Sequence, residues 1–177
     1  MTMGAIILPY NDKTPTLGEG VFVAPGAAVI GDVVVGADTN IWFNVTIRGD
    51  VNTIRIGQRT NIQDGTVCHV TYKNGPLVIG NDVTIGHKAI LHACTLEDLS
   101  FVGMGAIVMD GCVIESGGML AAGALLNPGK VVKSGEIWAG VPAKPLRPMT
   151  QAEKDYLPWS AQHYVKLGHQ YLTGLKN

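Results

Sequence analysis

His69, His87 and His92 are the residues of this chain with the clearest capacity for chemistry, because they lie close together in the sequence. Neutral imidazole is a common ligand for zinc and for other transition metals. Three imidazoles leave one tetrahedral position open, as in catalytic zinc sites, whereas structural sites use four protein ligands. These residue types therefore indicate a metal site that makes hydroxide available at neutral pH, provided that the fold brings the rings together.

Charged and amide side chains precede these histidines along the chain. Asp50 and Asp64 are candidates for carboxylates that hydrogen-bond to metal-ligating imidazoles, and Arg48 can pair with a carboxylate across an interface. A purely structural role is the alternative interpretation of each of these residues. Arg48 and Asp50 would then form only a structural salt bridge, and Gln63 and Asp64 would form only hydrogen bonds at a corner of the fold.

A period of six residues determines how these side chains are positioned. Aliphatic residues recur at this spacing in the following series: Leu17, Val23, Val29, Val35, Ile41, Ile47; Ile56, Ile62, Cys68; Ile79, Ile85, Leu91; Leu96, Val102, Val108, Ile114, Leu120, Leu126, Val132, Trp138. A smaller residue, such as Ala27 or Ala106, follows most of them four positions later. This period predicts an all-β fold, a left-handed parallel β-helix in which hexapeptide repeats stack into a three-sided prism.

The repeat predicts that Arg48, His69 and His92 share one face of the prism. Each directly follows an inward residue, and these inward residues are three hexads apart once the interruptions of the series are allowed for. Adjacent coils of such a prism lie about 4.8 Å apart. His69 and His92 are therefore expected to stack at a distance suited to sharing one metal ion.

His87 belongs to a different face, one coil above Asp64. A single prism therefore cannot bring His87 to His69 and His92. Two prisms side by side can do so, if each contributes a different face to the contact. Closing this heterologous contact in a ring predicts a homotrimer with one site at each of its interfaces.

The remainder of the chain is predicted to flank the prism. Residues 1–16 are expected to form an N-terminal arm or entry strand, and residues 17–140 the β-helix. A proline-rich connector and C-terminal helices that pack on the prism are expected in residues 141–177.

The C-terminal segment has the signals of two helices. Thr150 followed by Glu153 is a capping box that begins the first helix, and Pro158 is expected to end it. A second helix is predicted over residues 159–175. Its apolar side would carry Tyr164, Leu167, Tyr171 and Leu175.

Composition excludes several classes of function. The chain has 177 residues, 15% of them charged, and a formal net charge of −1, so it lacks the basic surface of a nucleic-acid-binding protein. No apolar run approaches the roughly 20 residues of a membrane span, and residues 1–8 do not resemble a signal peptide. Three cysteines without paired spacing make disulfides improbable, which predicts a cytoplasmic protein.

The chain resembles the γ-class carbonic anhydrase family over nearly its whole length. The matching stretches are residues 47–51 (IRGDV), 56–57 (IG), 60–65 (TNIQDG), 85–88 (IGHK), 91–92 (LH) and 164–167 (YVKL), together with His69. The resemblance implies a trimeric left-handed β-helix. It also implies that His69 and His92 of one subunit and His87 of its neighbour bind Zn²⁺, with Fe²⁺ as the other possible metal.

The same resemblance implies a reaction and roles for the nearby residues. The reaction is reversible hydration of CO₂ to bicarbonate by metal-bound hydroxide. Gln63 would hydrogen-bond the hydroxide or bicarbonate, and Asn61 would orient Gln63. Arg48 and Asp50 would form an ion pair across the subunit interface, and Tyr164 would reach into the site from the C-terminal helix.

The chain departs from this family where protons would leave the site. Val51 follows Asp50, and the short loop of residues 71–76 contains no carboxylate, so proton-shuttling acids are missing and weak or absent activity is expected. Two alternatives stay open. One is an acyl-coenzyme A-dependent acyltransferase of the same fold, because residues 140–144 resemble the segment that follows the last coil in those enzymes. The other is a non-catalytic metal-binding scaffold.

Overall fold

The computed structural model describes residues 4–174 and shows a parallel β-solenoid followed by one α-helix. This confirms the predicted fold class, a left-handed parallel β-helix of hexapeptide repeats with a C-terminal helix. Within the described residues, no helix is both long and apolar enough to cross a bilayer.

The strands form three faces. The first face contains β1 (Ile6–Leu8), the first halves of β4 (Ala28–Val35) and β6 (Thr46–Ile56), β8 (Val67–His69), β11 (Ile90–His92), β14 (Ile107–Val108) and β17 (Leu125–Leu126). The second face contains β2 (Thr16–Leu17), the second halves of β4 and β6, β9 (Leu77–Ile79), β12 (Thr95–Leu96), β15 (Val113–Ile114) and β18 (Val131–Val132). The third face contains β3 (Phe22–Val23), β5 (Asn40–Ile41), β7 (Asn61–Ile62), β10 (Thr84–Ile85), β13 (Phe101–Val102), β16 (Met119–Leu120), β19 (Glu136–Gly140) and the antiparallel β20 (Ala143–Pro148).

The hexad residues form the core, as the sequence predicts. From Val23 to Val132 every one of them is at most 4% exposed, and only Leu17 and Trp138 at the ends of the series are partly buried. Cys68 and Cys112 occupy inward positions and are buried free thiols. Burial raises the pKa of Cys68 to about 12, which makes it unreactive at neutral pH.

The two long interruptions of the repeat lie at the corner between the first and second faces. There β6 crosses from one face to the other, and the chain after β8 makes a loop over residues 71–76. The side-chain amide of Asn52 donates to the carbonyl oxygens of Thr71 at 3.0 Å and Lys73 at 3.1 Å. These bonds join the two insertions beside Asp50.

Residues before the prism extend its sheets. Strand β1 pairs in parallel with the first half of β4, and β2 pairs with the second half. The N-terminal segment therefore forms part of both the first and the second face. Residues 1–3 lie outside the described part of the chain.

The prediction of two C-terminal helices divided at Pro158 is wrong, because a single helix α1 spans Gln151–Gly174. Pro158 removes one hydrogen bond, to the carbonyl of Lys154, but both residues are exposed, so water can satisfy that carbonyl. Leu157 and Ala161, one on each side of the proline, are buried. This packing fixes the helix across the proline.

Helix α1 packs along the third face. Near its C-terminal end, Tyr164 and Tyr171 both pack edge-on against Trp42, with ring centroids 5.8 and 5.3 Å apart. Leu167 joins the same cluster, as expected for one apolar side of the helix. The fourth predicted member of that side, Leu175, lies outside the described residues.

The predicted capping box begins α1. The Thr150 backbone N–H donates to Glu153 Oε2 at 2.8 Å, and the Glu153 N–H donates to Thr150 Oγ1 at 3.3 Å. Hydrogen bonds from Arg147 and then from Thr150 lower the pKa of Glu153 to about 2. The start of α1 is therefore stabilised by the ion pair of Arg147 and Glu153 as well as by the hydrogen bonds of the capping box.

Replacing Thr150 by alanine is expected to lower the free energy of unfolding by about 1 kcal/mol, because the first turn loses its cap. Urea denaturation followed by circular dichroism measures this difference. Thr173→Ala serves as the matched control, since Thr173 is exposed near the end of the same helix. Equal stability of the two variants would contradict a stabilising cap at Thr150.

Candidate metal centre

His69 and His92 lie side by side on the first face, as predicted. They are register partners in the paired strands β8 and β11. His69 Nδ1 and His92 Nε2 lie 3.3 Å apart. Two ring nitrogens of one chain therefore point to the same place, which is the arrangement needed to ligate one metal ion.

Asp50 holds the other nitrogen of His69. Its Oδ1 lies 3.1 Å from His69 Nε2, and its Oδ2 accepts a hydrogen bond from Arg48. Burial raises the pKa of Asp50, but the hydrogen bonds from Arg48 and His69 outweigh this effect and lower the pKa overall. Arg48 and Asp50 thus pair within one chain, and their placement across a subunit interface stays a prediction.

Asp110 is a site residue that the sequence interpretation missed. Its Oδ1 lies 2.7 Å from His92 Nδ1, and Thr71 donates to its Oδ2. The hydrogen bond from Thr71 is the largest influence on Asp110 and lowers its pKa. The signal in the sequence was a carboxylate two positions after the inward Val108, one coil above His92.

His87 lies at the corner between the third and first faces. Its Nδ1 lies 2.8 Å from Asp64 Oδ2, which confirms that the two residues occupy adjacent coils. Lys88 follows with a φ of 58°, a left-handed conformation that turns the chain at this corner. Because its Nδ1 contacts Asp64, the imidazole of His87 has Nε2 available to bind a ligand.

Within residues 4–174 of a single chain, no three His, Cys, Asp or Glu side chains are arranged to hold a metal ion. The chemistry of the donor set nevertheless fits a metal. Each of the three imidazoles has one nitrogen on a carboxylate, which fixes the tautomer and leaves the second nitrogen available as a ligand.

Gln63 is oriented by a buried chain of hydrogen bonds that ends on helix α1. Gln63 Nε2 donates to Asn61 Oδ1 at 3.0 Å, and Asn61 Nδ2 donates to Thr84 Oγ1 at 2.9 Å. Thr84 Oγ1 lies 3.0 Å from Ser160 Oγ. These bonds leave Gln63 Oε1 free. The register predicts the proximity of Asn61 and Thr84, but nothing in the sequence indicated Ser160.

Tyr164 lies close to the same amide. Burial raises the pKa of its hydroxyl, the neighbouring Tyr156 and Asp64 add to this effect, and a hydrogen bond with Gln63 opposes it. The phenol is therefore a neutral hydrogen-bond donor at physiological pH. Its position beside Gln63 agrees with the expected approach from the C-terminal helix.

Comparison with known proteins identifies relatives of this chain. The family model "Hexapep: Bacterial transferase hexapeptide (six repeats)" matches residues 14–49. The protein named "Carbonic anhydrase" from Geobacillus kaustophilus is 44% identical over 166 residues, which cover 94% of this chain and 91% of that protein. "Gamma carbonic anhydrase 2, mitochondrial" from Arabidopsis thaliana is 48% identical over 88% of this chain, which spans only 58% of the Arabidopsis protein.

A solved structure has the same fold. The crystal structure of a hexapeptide transferase family protein from Anaplasma phagocytophilum superposes with a TM-score of 0.91 at 52% identity. The match covers 94% of this chain and 98% of that one. From its repeat, its β-helix and these relatives, the chain belongs to the γ-class carbonic anhydrase family.

Proposed function

We propose that this protein is a metal-dependent carbonic anhydrase that interconverts CO₂ and bicarbonate. The observation that carries the proposal is the donor set. His69, His87 and His92 each have a carboxylate on one ring nitrogen, and the second nitrogens of His69 and His92 face each other at 3.3 Å. This arrangement is typical of histidines that ligate a catalytic metal.

The site is completed by a second copy of the chain, in a homotrimer. The first face has an outward column of apolar residues. It begins in β8 and β11, the strands of His69 and His92, and continues in β14 and β17, with the members Val67, Ile90, Ile107 and Leu125. Val67 and Ile90 are each 40% exposed in the single chain. Such a column favours burial between subunits, and a closed ring brings His87 of the next copy to the histidine pair.

His69 and His92 of one subunit and His87 of the next would hold Zn²⁺ or Fe²⁺. When bound there, the ion supplies a Lewis acid that lowers the pKa of water to about 7 and so provides hydroxide at neutral pH. Three protein ligands leave the open position that this chemistry requires.

The chain's own residues bind and orient the substrate. Gln63 Oε1 is free to accept a hydrogen bond because Asn61 fixes the other end of the amide. The neutral hydroxyl of Tyr164 is available to donate to a bicarbonate oxygen. The ion pair of Arg48 and Asp50 holds His69 in its orientation.

Proton removal is the weak point of this site. The loop over residues 71–76 has no carboxylate to carry protons to solvent. Turnover is therefore expected to rise with buffer concentration, since buffer molecules must accept the proton. Stopped-flow CO₂ hydration by the zinc-loaded and iron-loaded protein tests the proposal, and rates no higher than buffer alone in both forms would refute it.

Two names favour the acyltransferase alternative, that of the matching family model and that of the Anaplasma relative. That class uses one histidine as a general base and needs no metal, so two of the three carboxylate-bound histidines would have no role. Metal analysis separates the two functions, because a metal-free protein that binds coenzyme A would favour the transferase. A non-catalytic scaffold would bind metal but would not hydrate CO₂ at any buffer concentration.

A cytoplasmic location stays a prediction.

Replacing Asp110 by asparagine is expected to weaken zinc binding about 10- to 100-fold, because the amide no longer fixes the tautomer of His92 as the carboxylate does. Competition with a chromogenic chelator measures the affinity. Asp12→Asn is the control, since Asp12 is highly exposed and its salt bridge is with the neighbouring Lys13. Equal zinc affinity of the Asp110 and Asp12 variants would exclude a supporting role for Asp110.

A further inference from the structure

A groove of about 510 Å³ opens between helix α1 and the third face, and one of its ends is the candidate metal centre. Gln63, His87 and Tyr164 lie at this end. CO₂ and bicarbonate contain only a few heavy atoms, whereas pockets of about 300–1,000 Å³ are typical of sites for larger organic ligands. The proposed reaction therefore leaves most of the groove unused.

The groove has polar groups at the metal end and apolar walls beyond it. Phe101, Met119 and Leu146 line the walls. At the far end Arg147 donates two hydrogen bonds to Glu153, at 2.7 and 2.8 Å. Because that ion pair is already closed, the far end needs no charged ligand. The groove thus suits a molecule with one polar head and an uncharged hydrocarbon tail.

We propose that this groove binds the hydrocarbon chain of medium-chain carboxylates, whose head group takes the place of bicarbonate. A carboxylate is a bicarbonate ion in which an alkyl chain replaces the hydroxyl. A site that holds bicarbonate beside Gln63 and Tyr164 can therefore hold a carboxylate, and the chain then extends along the groove. This inference rests on the proposed function, since it uses the same head-group position.

The distance from the head-group end of the groove to Met119 sets the length of the hydrocarbon chain. From the coil of His87 to the coil of Met119 is two coil steps, or about 10 Å at a spacing of about 4.8 Å per coil. An extended chain advances about 3.5 Å over three bonds. An unbranched acyl chain of about eight carbons therefore reaches Met119, short of the ion pair of Arg147 and Glu153, while acetate reaches only the head-group end.

Isothermal titration of the zinc-loaded protein with sodium octanoate and sodium acetate tests the proposal. A fully buried methylene improves affinity about fourfold. The groove is open to solvent on one side, so we expect octanoate to bind at least about 30-fold more tightly than acetate. Octanoate is also expected to inhibit CO₂ hydration at correspondingly lower concentrations. Affinities within about threefold of each other would overturn the proposal.

Leu146→Asp provides the matched variant. Leu146 lies on β20 and is 62% exposed, so the substitution leaves the core intact and places a carboxylate in the groove at the end of the bound tail. We expect about tenfold weaker octanoate binding and unchanged acetate binding. Val141→Asp adds the same charge to the same hairpin, does not line the groove and is expected to change neither affinity. Equal weakening of both ligands by Leu146→Asp would contradict binding in the groove.

The two proposals can fail separately. Normal CO₂ hydration with no preference for octanoate would refute only the groove. A strong octanoate preference that Leu146→Asp removes, in a protein without hydration activity, would support the groove and refute the carbonic anhydrase function.

Discussion

His92→Ala is expected to lose both metal binding and CO₂ hydration. His92 Nε2 points to the same place as His69 Nδ1, and Asp110 holds the opposite nitrogen of its ring. Loss of an outer carboxylate alone typically weakens metal binding about 10- to 100-fold, so loss of the imidazole itself is expected to weaken it more than about 100-fold. Metal content after dialysis and stopped-flow hydration measure the two effects.

The fold is expected to survive this substitution, because His92 is only partly buried and points away from the core. Circular dichroism and the melting temperature check this point. His169→Ala is the matched control, since His169 pairs with Asp38 on the exposed side of the helix. A His92 variant that retains the metal and the hydration rate of the His169 variant would show that His92 is not a ligand.

Gln63→Ala is expected to lower kcat for CO₂ hydration about 10²-fold while the metal stays bound. The fixed amide positions the reacting oxygens, and misplacing reacting groups by about 1 Å can cost about 10²-fold in rate. Gln63 is buried and its amide is held by Asn61, so the side chain has one fixed orientation that alanine cannot provide. Stopped-flow rates together with metal content separate this effect from loss of the ion.

Gln58→Ala is the control for this variant, because Gln58 is exposed at another corner of the prism. Its rate is expected to match that of the unaltered protein. An unchanged kcat for Gln63→Ala would remove Gln63 from the mechanism, even if the rest of the proposed site were correct.

The repeat made most of the fold predictable. An inward residue at every sixth position leaves one arrangement that buries all of them, and the register then determines which residues are neighbours. For this reason the contacts of His69 with His92, and of His87 with Asp64, followed from the sequence. These pairs depend only on counting positions between adjacent coils.

Features that depend on packing between distant segments were not predictable in this way. Pro158 usually ends a helix, but here the buried neighbours on both sides keep the helix continuous. Ser160 meets Thr84 only because the helix docks at one particular rotation on the third face. The register places Asp110 one coil above His92, but its bond from Thr71 could not be predicted because residues 71–76 interrupt the repeat.

Subunit mixing tests most directly whether the site is shared between chains. His87→Ala and His92→Ala are each inactive alone under this account, and they are unfolded and refolded together in equal amounts. Random trimers are mostly mixed, and each mixed trimer has one interface with an intact His69–His92 pair facing an intact His87, which restores about one quarter of the sites. Recovery of about a quarter of the hydration activity is the predicted result. No recovery, in trimers shown to contain both variants, would contradict a metal centre formed between neighbouring subunits.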